Sequence, residues 1–255
     1  MTNKIINYEK IDKELFRSGK PFPNIVIDGL FDSNFMLKIE KDYPLIEDVS
    51  WWSYDNHFEK KFAYDNIRNL PDSIQEYFKI INSWDFVKKI EEVTGITGLI
   101  ADPSLWGAGL HRIERGGKLD IHADFNYHRL TGWRRRLNII TFLNKNWDES
   151  YGGHTELWDK DMKECVVKVL PIFNRTVMFV VDDDTFHGHP DPLMCPENMT
   201  RRSLAAYYYT LHDDNINEIN LRSTDYKKRP SDLTNKKIEK MREERRKGRL
   251  RDMKT

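Results

Sequence analysis

The sequence predicts a mostly β protein with flanking helices, an α+β chain whose strands pack as a sandwich. Three observations predict it. Apolar stripes at helical spacing fall before about residue 97, short apolar strands divided by turn residues occupy about 98–211, and a charged stretch follows. The chain therefore divides into an N-terminal segment of helices and a lead-in strand (1–97), a β core (98–215) and a basic, helical tail (216–255).

Residues 8–18 suit a short charged helix, and 21–28 a lead-in strand. Asp32 or Ser33 is placed to cap a helix running to about residue 43. Residues 51–58 read as an aromatic loop that either packs at a rim or walls a substrate pocket. A second helix opens at Pro71-Asp72-Ser73 and carries Ile74, Tyr77, Phe78 and Ile81 on one face. A third, capped by Ser83 or Asp85, carries Phe86, Val87, Ile90 and Val93 and stops at Gly95. Such stripes are core faces and carry no chemistry.

Leu110, Ile113, Leu119 and Ile121 are strand positions around a Gly116-Gly117 hairpin turn. The run 137–143 is a strongly apolar strand, and Gly152-Gly153 leads into 155–158. Strands over 166–170, 176–181 and 202–210 complete the sandwich. Residues 221–255 hold fourteen Lys/Arg against six Asp/Glu. Within them, 233–247 has little apolar face and is expected to be a solvated helix. The basic tail (222–254) is the only hint of a nucleic acid or acidic partner.

Net charge is zero, with 41 basic and 41 acidic residues, so no global field argues for nucleic acid or membrane. Cys165 and Cys195 lack CxxC spacing, and the first ten residues lack the apolar core of a signal peptide. A cytoplasmic chain with no membrane partner is expected.

The chemistry gathers at His122-Ala123-Asp124. Side chains alternate along an extended segment, so a His and an Asp two apart face one point. They make two-thirds of a facial iron(II) site, whose third ligand is a second His. His187 and His189, about 65 residues later, are both candidates. A keto acid with a distal carboxylate needs a buried cation, and Arg suits it because its planar fork pairs two oxygens. Arg201 and Arg202 face opposite ways in a strand. Arg201 shares its face with Ser203, so it is the stronger candidate.

Several segments then follow one family's order: His122-Ala123-Asp124, Arg136-Leu137-Asn138, Gly152-Gly153 before Glu156-Leu157-Trp158, His187-Gly188-His189-Pro190 and Arg201-Arg202-Ser203. Over about residues 98–211 the chain resembles the iron(II)/2-oxoglutarate-dependent oxygenases of the prolyl-4-hydroxylase-like superfamily. The resemblance implies a double-stranded β-helix (jelly-roll, cupin-like) core whose facing sheets bring the ligands together. It implies Fe(II), 2-oxoglutarate and O2, with ascorbate as an accessory reductant, and release of succinate and CO2. By position His122, Asp124 and His187 would be the catalytic metal ligands, and Arg201 with Ser203 would hold the co-substrate. Where relatives often carry a Tyr donor this chain has Phe142, which leaves Asn138, on the same strand face, as the candidate co-substrate donor.

The resemblance implies hydroxylation of a C–H bond in a protein side chain such as proline, or in a small metabolite or glycan. The rival readings are a non-catalytic binding module on the same fold, and a cupin-like enzyme using zinc or manganese without 2-oxoglutarate. Of the other histidines, His111, His128 and His154 read as hydrogen-bonded structural residues.

Overall fold

The computed structural model describes residues 5–211 and 222–247. Local signals place the helices. Asp12 and Asp32 accept backbone N–H groups at the starts of α1 (Lys13–Ser18) and α2 (Ser33–Asp42), with β1 (Asn24–Asp28) between them. The expected aromatic loop is instead a hairpin of β2 (Trp52–Asp55) and β3 (Glu59–Tyr64), paired from Trp52 against Ala63 to Asp55 against Lys60. Helix α3 (Asp72–Ile81) buries Ile74, Tyr77, Phe78 and Ile81. Helix α4 (Trp84–Thr94) is capped by Ser83 and ends at Gly95, whose φ of 77° is left-handed.

Then come β4 (Ile100–Ala101), β5 (Gly109–Ile113), β6 (Lys118–Ala123), β7 (Arg134–Phe142) and β8 (Thr155–Trp158). They are followed by β9 (Cys165–Val169), β10 (Arg175–Val180), β11 (Phe186–His189), β12 (Arg201–Thr210), β13 (Asp225–Tyr226) and α5 (Lys236–Arg246). The strands pair antiparallel in the order β1-β10-β7-β12-β5-β3-β6-β11-β8-β9, with β2 beside β3, β4 beside β12 and β13 beside β6. The sheet curls into a nearly closed barrel, a double-stranded β-helix, around one large cavity. Gly116-Gly117 does turn the chain between β5 and β6, yet those strands are not partners, because β3 lies between them. Since β1, β3 and β13 belong to the same sheet, boundaries near 97 and 215 divide the chain but not its core.

Strand β12 is covered on both sides. Leu204 and Tyr208 pack under the helices, where the Tyr208 hydroxyl donates to the Ile81 carbonyl at 2.8 Å, while Arg201, Ser203 and Tyr207 face the cavity. Each such aromatic removed from water contributes about 2–3 kcal/mol, which makes the helical layer a rigid backing for the site. No helix among the described residues is long and apolar enough to cross a membrane.

The tail departs most from expectation. Tyr226 of β13 is 3% exposed, pairs with His122 in the sheet and stacks on Phe58 with ring centroids 4.7 Å apart. Helix α5 is tied down by Arg245, whose Nη2 lies 2.7 Å from the buried Glu59 carboxylate. The solvated helix read from its charge is therefore docked on the barrel. Isolated anchors such as Tyr226 and Arg245 leave no apolar stripe to read.

Candidate active site

His122 near the end of β6 and His187 on β11 are register partners on adjacent antiparallel strands, so their rings lie on one face with centroids 4.5 Å apart. They meet within one half of the barrel rather than across facing sheets. Asp124 follows two residues after His122 and turns to the same point. Its Oδ1 lies 3.5 Å from His122 Nε2 and its Oδ2 3.5 Å from His187 Nε2. The three donor atoms lie within 4.8 Å of one another, and all three residues are buried. His189 is not among them, which separates the two candidates.

These donors fit a metal ion. The Asp120 carbonyl, an acceptor only, lies 2.8 Å from His122 Nδ1, so in the neutral ring the hydrogen sits there and Nε2 turns a lone pair toward Asp124. Burial pushes His187 down to about 3, which keeps that ring neutral. Burial raises the Asp124 carboxyl, but the Arg135 guanidinium outweighs it and holds the carboxyl well below the usual carboxylate range. Two bare nitrogens thus face an ionised carboxylate, and a cation between them satisfies all three.

Behind the carboxylate stands a support that the sequence did not reveal. Arg135 Nη2 lies 3.0 Å from Asp124 Oδ2, and its guanidinium is sandwiched between Phe125 and Tyr207, with Cζ 4.4 and 3.3 Å from the ring centroids. Asn138 donates to Asp124 Oδ2 at 2.8 Å and accepts from Arg135 Nε and Nη2 at 2.9 and 2.8 Å. Asn138 lines the cavity, with its oxygen accepting from Arg135 and one of its two amide hydrogens given to Asp124. It orients Asp124, and its place on the cavity wall is where a co-substrate donor was expected.

Strict alternation from Asn138 would turn Arg136 inward. The β7–β12 register instead steps from Leu137 opposite Tyr208 to Arg135 opposite Tyr209, so Arg136 is an extra residue. The bulge re-aims Arg135 into the cavity.

The cavity, about 670 Å³, extends from this cluster to Arg201. Arg201 is 4% exposed, donates through Nε to the Gly153 carbonyl at 2.8 Å and through Nη2 to Thr155 Oγ1 at 2.9 Å, and has no acidic partner among the described residues. Burial alone pulls it down to about 9. A buried cation without a counter-charge is costly, so this end of the cavity calls for an anion. Ser203 Oγ, His111 Nε2 and both ring nitrogens of His189 line the same cavity, buried and without hydrogen-bond partners among the described residues. Gly153 matters because a side chain there would press on Leu193 and Arg201, at 2.6 and 3.1 Å, on a φ of 72°. Arg202 faces outward and pairs with Glu40 at 2.6 Å, so the cavity receives Arg201 of the two.

Comparison with known proteins agrees with this geometry. Residues 108–209 match the 2OG-Fe(II) oxygenase superfamily. The chain carries a 2OG-Fe(II) oxygenase domain. Its cofactors are Fe(II) and 2-oxoglutarate, and the protein is an oxygenase. A prolyl-4-hydroxylase from Pseudomonas putida shares the fold at TM-score 0.57 and 12% identity, over 80% of this chain and 99% of that one. One from Phytophthora capsici does so at TM-score 0.55 and 20% identity, over 84% and 68%. A Trichoplax adhaerens prolyl hydroxylase, in complex with a peptide fragment of the hypoxia inducible factor oxygen degradation domain, gives TM-score 0.52 and 16% identity, over 79% and 88%. No curated protein matches the sequence.

Proposed function

We propose that this oxygenase is a hydroxylase in which His122, Asp124 and His187 hold Fe(II), while Arg201 and Ser203 hold the distal carboxylate of 2-oxoglutarate. One observation carries the reading: a three-donor cluster and a buried guanidinium with no counter-anion among the described residues share one cavity. When bound, Fe(II) and the keto acid supply the oxidising chemistry that attacks an unactivated C–H bond and releases succinate and CO2. The chain's own residues do the positioning. Asn138 and Arg135 fix the carboxylate plane, the Asp120 carbonyl fixes the His122 tautomer, and Phe125 and Tyr207 hold Arg135 away from water.

His189 and His111 stand beside the co-substrate end as neutral rings able to donate one hydrogen bond each. They are the replacement for the hydroxyl that Phe142 cannot supply. A cupin-like enzyme without 2-oxoglutarate gives Arg201 nothing to pair with. Cys165 and Cys195 are free thiols, which supports a reducing, cytoplasm-like compartment.

The substrate is a protein side chain of prolyl type or a small metabolite or glycan, entering between the β2–β3 hairpin and the 125–129 loop. The test is succinate release from 2-oxoglutarate in the presence of Fe(II) and O2, with peptide, amino-acid and glycan pools screened for the gain of one oxygen. Succinate that forms equally well in His122→Ala would refute the ligand assignment.

A further inference from the structure

Two loops wall the cavity beside Asp124, residues 102–108 between β4 and β5 and residues 124–133 between β6 and β7. Trp106 and Gly107 line it from the first, and Phe125 and Tyr127 from the second. Loops of this kind are ordinarily the least fixed part of a fold. Here both close on one buried carboxylate.

Asp102 is 4% exposed. Its Oδ1 accepts from the Ser104 backbone and hydroxyl at 2.8 and 2.6 Å, and its Oδ2 from the Trp106 backbone at 2.9 Å. Leu105, inside this turn, is buried at a φ of 52°, a left-handed conformation that a leucine keeps only where its surroundings fix it. His128 organises the second loop in the same way. Its ring is buried edge-on against Trp106 and Tyr209, with centroids 5.2 and 5.5 Å away. Nδ1 accepts from the Leu130 and Thr131 backbone N–H groups, both at 3.3 Å, so the hydrogen of the neutral ring sits on Nε2. Nε2 in turn faces Asp102 Oδ2 at 3.6 Å. Between two buried groups a contact of that length still acts, because little solvent screens it.

The pair reaches the metal cluster without touching it. Trp106 meets Phe125 edge-on at 4.8 Å, and the Tyr207 hydroxyl donates to the Gly107 carbonyl at 2.8 Å. Phe125 and Tyr207 are the two rings that enclose Arg135, the cation behind Asp124. Both sides of that guanidinium are thus braced by the loop that Asp102 folds.

We propose that Asp102 and His128 are positioning residues for the oxygenase reaction. They lock the two loops together, and the locked loops hold the Phe125–Tyr207 clamp that sets Arg135 against Asp124. This role rests on Asp124 being a metal ligand, as in the functional reading above.

The Arg135 side-chain N–H signals report on the clamp directly, since the currents of two rings displace them from those of other arginines. Proton–nitrogen NMR spectra of the metal-free full chain, assigned with Arg135→Met, should show that displacement in the wild type. It should shrink in Asp102→Asn, which puts a donor where the Trp106 and His128 N–H groups point, and in His128→Asn. Asn at 128 can still accept from Leu130 and Thr131 but is too short to reach Asp102, so it cuts the link alone. Uncoupled succinate formation by the loaded enzyme should fall about tenfold in each variant, and in the double variant no further than in the worse single one. In the wild type, which needs no variant to fold, long-range proton–nitrogen correlation should find the His128 hydrogen on Nε2.

Arg135 signals that stay in place in both variants overturn the proposal. So do succinate losses that multiply in the double variant, or a His128 hydrogen on Nδ1. The spectra need neither metal nor 2-oxoglutarate. A wild-type chain that forms no succinate, yet loses the Arg135 displacement when the pair is cut, overturns the functional reading and leaves the loop lock standing.

Discussion

Arg135 does the most for the site of any residue outside the three donors. It neutralises Asp124 from behind, held in place by the Phe125 and Tyr207 rings and the Asn138 amide oxygen. In Arg135→Met the carboxylate keeps only the Asn138 amide, so the metal-free protein should lose about 3 kcal/mol, the scale of a broken buried pair. A bound divalent ion supplies the missing charge, so the loss should be smaller with Mn(II) present. Denaturant unfolding with and without metal measures both, and equal losses would contradict this role for Arg135.

The neutral histidines give a second expectation at this scale. Burial, with Lys61 and Arg201 nearby, pushes His111 from 6.5 to about 3. The unfolded chain takes up that proton below 6.5 and the folded chain does not. The stability His111 contributes is therefore complete above 6.5 and lost as pH falls toward 3, at about 1.4 kcal/mol per pH unit. His111→Asn should flatten the acid limb of the metal-free stability curve by that slope, and an unchanged limb would argue against a buried neutral ring. Much of this chemistry was legible in the sequence. The His122/Asp124 spacing and the Arg201/Ser203 face follow from strand alternation. Arg135 did not, because alternation from Asn138 points to Arg136 and nothing in the sequence marks the bulge.

Among the elements, β13 with α5 is the piece that sequence reasoning placed wrongly. Its charge density reads as solvent-exposed, yet Tyr226 fills the space between Phe58 and His122, with its ring 5.7 Å from the imidazole, and Arg245 closes on Glu59. Tyr226→Ala removes an aromatic from beside an iron ligand and should cost about 3 kcal/mol in unfolding free energy. Uncoupled succinate formation should fall with it. A stability change under about 0.5 kcal/mol would mean that the tail is only resting on the barrel. The β2–β3 hairpin was hidden for a related reason. Trp52, Tyr54, Lys61 and Ala63 all face the cavity, so its inward side mixes aromatic, basic and small residues and shows no apolar alternation. The helices were read well because Asp32, Ser83 and Gly95 are local signals that need no knowledge of the fold.

For the whole molecule, the barrel keeps the chemistry away from the structural core. Helices α3 and α4 and the outward face of β12 form the largest apolar cluster, and the inward face carries the polar groups that lack partners. The order of motifs along the chain was enough to anticipate this architecture. The partners of β3 and β13 were not, since they come from opposite ends of the sequence. What the fold achieves is a cavity with a three-donor cluster and the unpaired cation of Arg201 on its walls, and that juxtaposition is the central claim. It is tested most directly by anaerobic titration of 2-oxoglutarate into the Fe(II)-loaded chain, following the visible absorption of the iron–keto acid chelate. The wild-type protein should saturate at one equivalent, His122→Ala should give no band, and Arg201→Ala should need about tenfold or more co-substrate to reach it. A wild-type protein with no 2-oxoglutarate-dependent band, or an Arg201→Ala titration identical to wild type, would contradict it.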